Sequence, residues 1–278
     1  MGFEGESAYQ FVQVVRQDDG VTVLHLNEGW SVHSILPARG TLTNGYWDAF
    51  LTLPILQGRT GGRMAVLGNA GGTVGNLFAA AWPETAIDGV EINPLVSDVG
   101  RRYQGMSNPR LTVHTADARS WLRASHGGCD AIIVDAYRQP YIPFHLVSRE
   151  FFTLVRDRLA SEGVVAINVG TPPGQLEAVA QIAATMRAVF PAVQQVRFDT
   201  FNSVVIGYRD ATSAAGARSA LSQATGLPKA AAQSVAAGLA DVASGGTVLT
   251  DDHLAHRMAD RPGAPDLPAG RRSRSRAR

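Results

Sequence analysis

A chain of 278 residues with 45% hydrophobic and 18% charged residues is long enough for one large domain with a small appendage, and its core fraction is ordinary. Its one cysteine, Cys129, excludes an internal disulfide and a cysteine-based zinc site, and no apolar run reaches the length of a membrane span. The net charge of +1 is uneven: six arginines and one aspartate between 261 and 278 make a +5 tail on a body of about −4.

The opening decapeptide MGFEGESAYQ has no basic or cleavage region, so a cytoplasmic protein without a leader or lipid anchor is expected. Tyr9–Val15 and Val21–Leu26 read as strands around the turn Asp18-Asp19-Gly20, and Trp30–Leu36 as a third. They predict a small antiparallel unit over residues 1–45. Tyr46–Leu56 reads as a helix packed against the larger domain.

From Met64 the pattern alternates. Strand Met64–Leu67 leads through VLGNAGGTVG into a helix ending near Trp82, and strand Ala86–Val90 comes next. In NPLVSDVGRRYQG, Asn93 suits an N-cap, Pro94 the first helical position and Gly105 the exit. Strand Arg110–His114, helix Ala118–Ala124, strand Ala131–Val134, helix Ser148–Leu159, strand Gly163–Val169 and helix Gln175–Val189 continue the alternation. Val193–Phe198 and Ser203–Tyr208 then close it as an antiparallel hairpin. Alternation of this kind predicts an α/β fold, a parallel sheet covered on both faces and ending in a hairpin. That is the plan of the Rossmann-like methyltransferase group, here over residues 46–260. Beyond Asp210 two modest alanine-rich helices are expected, then GGTVLTDDHL. The Pro-, Gly-, Ser- and Arg-rich segment 261–278 has almost nothing to bury and is expected to be disordered, a solvated terminus or a weak contact for nucleic acid.

Ligands of open α/β sheets lie beyond the C-terminal ends of the strands. The residues just past the first four parallel strands are Gly68 with the loop through Gly72, then Glu91, Asp117 and Asp135. The loop does not fit the pyrophosphate pattern G-x-G-x-x-G, because Ala70 and Thr73 stand at its third and sixth positions, and no Lys or Arg waits there for a phosphate. Glu91, 23 residues after Gly68, suits a pair of ribose hydroxyls, and Asp117 suits an adenine amino group. Together they favour an adenosine without phosphates, such as S-adenosylmethionine or its decarboxylated form; a plain tight turn is the competing reading of the glycines. Asp135, after an apolar strand, reads as a general base for an incoming amine, or as a cap or a partner of Arg138 or Arg149. His145 is either a second acid/base group or a packed, capping residue. His253 and His256, beside Asp252, do not have a recognised metal spacing, and no metal is expected. Tyr46, Trp47, Tyr137 and Tyr141 either wall a substrate channel or pack. Cys129 reads as a small core residue.

The ordered set YQFVQV, LNEGWSVHS, GYWDAFLTLPIL, VLGNAGGTVG, VEINP, TADARSWL and VDAYRQP…EFF, running from about Tyr9 to Tyr208, resembles the spermidine synthase (polyamine aminopropyltransferase) family, in its divergent bacterial spermidine-synthase-like branch. The resemblance implies a homodimer in which decarboxylated S-adenosylmethionine gives an aminopropyl group to an amine and leaves methylthioadenosine. It implies that Gln10, Glu91, Asp117 and Ala118 hold the nucleoside with Gly68, Gly72 and His33, and that Asp135 is the base. It also marks departures. The acidic residue of the family's glycine loop falls on Gly71, the second aspartate of its Asp-Ser-x-Asp on Arg138, and a glutamine of its second hairpin on His33. Asp48, Asp251 and Asp252 stand as possible substitute carboxylates, with Asp48, Tyr137 and Arg138 expected at the acceptor. An arginine in a cationic substrate's pocket sets like charges together, so an ordinary diamine is in doubt. Three readings stay open: an aminopropyltransferase, a methyltransferase using intact S-adenosylmethionine, and a nucleoside-binding protein with a decayed site.

Overall fold

A computed structural model describes residues 2–27, 31–138, 142–170, 177–198, 201–242 and 244–252. The expectations placed on Trp30, Tyr141, His253, His256 and the 261–278 tail lie outside the described residues. Two sheets form. The first holds β1 (Phe3–Glu6), β2 (Phe11–Arg16), β3 (Thr22–Leu26) and β4 (Val32–Leu36) in sequential antiparallel order. Its inner row, Val12, Val14, Leu24 and Leu26, packs on Val96 and Val99, so alternation along the strands fixes which face is covered. β1 is an addition to the three expected strands; four residues with two glutamates carry no apolar alternation to announce it.

The expected helix Tyr46–Leu56 is two short helices, α1 (Trp47–Phe50) and α2 (Leu53–Leu56). Pro54 causes the break: it has no N–H to donate, and its ring crowds the carbonyl four residues back. The Thr52 hydroxyl donates instead to the Ala49 carbonyl at 2.6 Å.

The second sheet has eight strands in the order β12-β10-β11-β9-β8-β5-β6-β7. Its parallel part is β5 (Arg63–Leu67), β6 (Ala86–Glu91), β7 (Leu111–Thr115), β8 (Cys129–Val134) and β9 (Leu159–Gly170). The hairpin β10 (Ala192–Arg197) and β11 (Asn202–Tyr208) joins antiparallel, with β11 on β9, and a two-residue β12 (Ala240–Asp241) borders β10. Connecting these are α3 (Thr73–Ala81), α4 (Pro94–Tyr103), α5 (Ala118–Ala124), α6 (Arg149–Arg158) and α7 (Glu177–Arg187), followed by α8 (Ala211–Ser222) and α9 (Pro228–Gly238). Asn93 caps α4 as its sequence signal predicts, and the side-chain oxygens of Asp117 and Ser148 accept from backbone amides of α5 and α6 in the same way, two caps beyond those expected.

Each central strand splits its side chains between two cores. Met64, Val66 and Ile133 face α1–α3, α8 and α9, whereas Ala65, Leu67 and Ile132 face α5–α7. Cys129 is buried in the second core, where burial pushes its thiol up to about 11. From β5 the chain runs outward through β6 and β7, then returns to add β8 and β9 on the other side. The strand order therefore reverses between β5 and β8, where a crevice opens beyond the strand ends. Among the described residues no helix is long and apolar enough to cross a membrane.

Candidate active site

The ends of β5 and β8 meet at one point. Gly68 follows β5 with φ +93°, and a Cβ there would stand 2.5 Å from the Asp135 carbonyl oxygen. Only glycine meets both demands. The Asp135 amide donates to the Leu67 carbonyl at 2.8 Å, extending the β5–β8 ladder by one residue and setting the carboxylate just beyond the sheet.

There Asp135 accepts from the Tyr46 hydroxyl at 3.2 and 3.0 Å and from the Asn168 amide at 3.0 Å. The Trp47 indole donates to it as well. Tyr46 and Trp47 open α1, and Asn168 comes from β9. Burial pushes the Asp135 carboxyl up to about 7, although these three donors pull it down. Burial and the Asp135 charge hold Tyr46 and Tyr137 well above the usual tyrosine range, so both stay protonated donors.

Asp135 lies on a cleft of about 1320 Å³ between the small sheet and the strand ends. Gln10, His33 and Tyr137, three residues expected from the sequence, line it too. Tyr137 is fixed through its hydroxyl, which donates to the Asn168 carbonyl (3.0 Å) and accepts from the Gly170 amide (2.6 Å). Its ring stands edge-on to His33 at 6.4 Å. Burial, with a smaller push from His25, lowers His33 to about 4, so the imidazole is neutral at physiological pH.

The nucleoside candidates are placed differently. Glu91 ends β6 and Asp117 follows β7, but neither lines this cleft, and nor do Gly68, Gly72 or Ala118. Glu91 is buried and accepts from the Ala70 amide at 2.9 Å and the Asn93 amide at 3.0 Å. It clamps the glycine loop to the start of α4. Burial raises its pKa, while the amides of Asn93, Ala70 and Ile92 oppose that. Each carboxylate oxygen keeps a second lone pair. Asp117 caps α5 through the Ser120 amide (2.8 Å) and meets His145 Nε2 at 2.9 Å. Burial works to raise it, but Ser120 and His145 outweigh burial and hold it below the usual carboxylate range. Ala118 is the first residue of α5, and Gly72 turns into α3 with φ +89°.

Two of the substitute carboxylates, Asp48 and Asp251, are occupied, and Asp252 is exposed. Asp48, in the first turn of α1, is buried and accepts from the preceding loop, from the Thr43 amide (2.9 Å) and hydroxyl (2.8 Å) and the Asn44 amide (2.9 Å). Asp251 forms two bonds with Arg119, at 2.9 and 2.7 Å. Asp48, Asp251, Asp252 and the exposed Arg138 do not line the cleft. An acid at Gly71 would crowd its neighbours: a Cβ would come within 2.9 Å of Gln104 Cγ and 3.0 Å of Ser34 Cβ, so those side chains would have to shift. Sequence reading missed Asn168, because it looked past strand ends and this residue lies inside β9. Among the described residues no group of three or more His, Cys, Asp or Glu is placed to hold a metal.

The chain resembles known proteins in both sequence and fold. The model of the spermine/spermidine synthase domain matches residues 67–214. A probable polyamine aminopropyl transferase of Bifidobacterium longum is 36% identical over 170 residues, 61% of this chain and 37% of that one. A polyamine aminopropyltransferase of Vibrio vulnificus is 38% identical over 134 residues, 46% and 43% of the two chains. The match thus spans less than half of either relative. In fold, a probable spermidine synthase from Corynebacterium glutamicum superposes with a TM-score of 0.65 at 18% identity, covering 90% of this chain and 96% of that one. With the matched segment running from the end of β5 through the hairpin, across the glycine loop, Asp135 and Asn168, the chain belongs to the spermine/spermidine synthase domain family.

Proposed function

We propose that this protein transfers an aminopropyl group from decarboxylated S-adenosylmethionine to an amine, with Asp135 as the base. Asp135 carries the reading: a cleft carboxylate pushed to about 7, held by Tyr46, Trp47 and Asn168 at the strand reversal. Its family supports the same chemistry, as does a solved spermidine synthase in complex with the transition-state analogue AdoDATO, whose fold matches with a TM-score of 0.61 at 18% identity, over 75% of this chain and 73% of that one. In the step proposed, the amine nitrogen's lone pair forms a bond to the methylene carbon beside the sulfonium. The carbon–sulfur bond breaks and its electron pair stays on sulfur, leaving neutral methylthioadenosine. The nitrogen's extra proton passes to Asp135. A base near 7 is half ionised at neutral pH and takes that proton without being held permanently charged. Positioning and exclusion of water supply most of the acceleration.

In this reading Glu91 and Asp117 hold the nucleoside, with Gln10, Ala118, Gly68 and Gly72 around it, by exchanging part of their present hydrogen bonding. His33 and Tyr137 form the wall toward the acceptor. The reading extends to a homodimer, from the family resemblance, and to a cytoplasmic setting. Gly71 favours a second reading, methyl transfer from intact S-adenosylmethionine, because the loop lacks a carboxylate for a lone ammonium on the donor's tail. One assay separates the two: each donor is supplied with an amine, and products are read by mass spectrometry. Methylthioadenosine with a product heavier by an aminopropyl group supports the proposal. S-adenosylhomocysteine with a methylated product refutes it.

A further inference from the structure

Resting on the reading of Asp117 as the adenine partner, we propose that Asp251 is a positioning residue for nucleoside binding. Acting through Arg119 and His145, it sets the orientation in which Asp117 meets the nucleoside.

Asp117 has no rigid seat of its own. Its side chain is 34% exposed, and rotation of a carboxylate about its last bond is only broadly restricted. The Ser120 amide holds Oδ1 and His145 Nε2 holds Oδ2, so two anchors on different oxygens fix the carboxylate plane. A lone pair on each oxygen stays open for an adenine amino group. Ser120 belongs to α5 itself. His145 stands on a single 3₁₀ turn, Phe144–Leu146, which is too short to hold its own geometry.

Arg119 holds that turn, its Nη1 donating to the His145 carbonyl at 3.2 Å. A long side chain samples many rotamers unless its head is held. Asp251 holds this one: Oδ1 accepts from Nη1 at 2.9 Å and Oδ2 from Nη2 at 2.7 Å, the paired geometry that fixes a guanidinium plane. Arg119 Nε is buried without a hydrogen-bond partner among the described residues, so the fork alone orients the group. The charges of Glu150 and Asp117 also reach Arg119. Without Asp251 the guanidinium is drawn to them, and pairing with Asp117 would occupy the oxygens that the adenine needs.

The core, not the ion pair, places Asp251. Leu249 is buried beside α5–α7, its amide donates to Thr185 Oγ1 of α7 at 2.9 Å, and its carbonyl accepts from the Arg149 amide at 2.8 Å. The Asp251 amide donates to Glu150 Oε2 at 3.0 Å. Residues 249–251 thus form a strap across the start of α6 that ends on α5. Asp251 itself is 42% exposed, so the pair adds little to overall stability, and its loss should be felt at the site and not in unfolding.

The test measures methylthioadenosine affinity by calorimetry on the full chain. Asp251→Asn keeps the side-chain shape and removes the charge. It is expected to weaken binding about fivefold and to leave the denaturant midpoint nearly unchanged. Asp117→Ala is expected to weaken binding about tenfold. The double variant should also lose about tenfold, not the roughly fiftyfold of two independent changes. In turnover, Asp251→Asn should raise KM for decarboxylated S-adenosylmethionine and leave kcat and the acceptor's KM nearly unchanged. Unchanged affinity in Asp251→Asn overturns the inference, as does an additive loss in the double variant or an equal rise in both KM values. If Asp117→Ala binds as well as the unaltered protein, the adenine assignment fails and the inference with it. The binding measurements need no turnover, so failure of every amine to release methylthioadenosine would refute aminopropyl transfer alone.

Discussion

Tyr46→Phe removes one hydroxyl and nothing else from the group around Asp135. That hydroxyl donates to both carboxylate oxygens, at 3.2 and 3.0 Å, and so favours the ionised form. A hydrogen bond to a charged group is worth about 1.5–3 kcal/mol, and 1.36 kcal/mol corresponds to one pKa unit. Because this bond is long and shared between two oxygens, the lower end applies, and the Asp135 pKa should rise by about one unit, from about 7 to about 8. The base works ionised, so the variant loses rate as pH falls and recovers it as pH rises. At pH 7 the ionised fraction drops from about one half to about one tenth, a loss of about fivefold, whereas at pH 10 the two enzymes should nearly coincide. The assay is kcat/KM against pH from 5.5 to 10, read as methylthioadenosine release. An acid limb that stays near 7 in Tyr46→Phe refutes the reasoning, as does a loss of equal size at every pH.

Glu91→Ala is expected to abolish measurable methylthioadenosine binding by calorimetry; unchanged affinity removes the ribose assignment. The same change leaves the Ala70 and Asn93 amides without their acceptor, which should cost about 2 kcal/mol or more in denaturant unfolding. Gly71→Asp, which puts back the acid that the family carries in this loop, is expected to destabilise by about 1–3 kcal/mol, because Gln104 and Ser34 already fill the space. A gain in stability would contradict the packing argument.

The parallel sheet was legible because each strand carries its own signal: an apolar run, then a residue that only a strand end would use. Gly68, Glu91, Asp117 and Asp135 marked where β5 to β8 stop. Asn93 and Pro94 marked the start of α4 through their own side-chain chemistry, independent of tertiary context. Less was visible where pattern competes with a single residue. Pro54 cut a helix that the apolar run Tyr46–Leu56 implied, and β1 and β12 are too short to show alternation. The site was half legible. Which carboxylates face the cleft depends on partners far apart in sequence: the Ala70 amide reaches Glu91 only because Ala70 takes φ +44°, and His145 reaches Asp117 across the β8–α6 connection. Asn168 stayed hidden because an Asn inside a strand looks like an exception to strand preference and not like a donor to Asp135.

Asp135→Asn tests the central claim most directly, with amine-dependent methylthioadenosine release measured on protein whose affinity for methylthioadenosine has been verified by calorimetry. The account predicts nucleoside binding close to that of the unaltered protein and release reduced to background at every pH. Release at the normal rate would show that the carboxylate between Tyr46 and Asn168 is not the base.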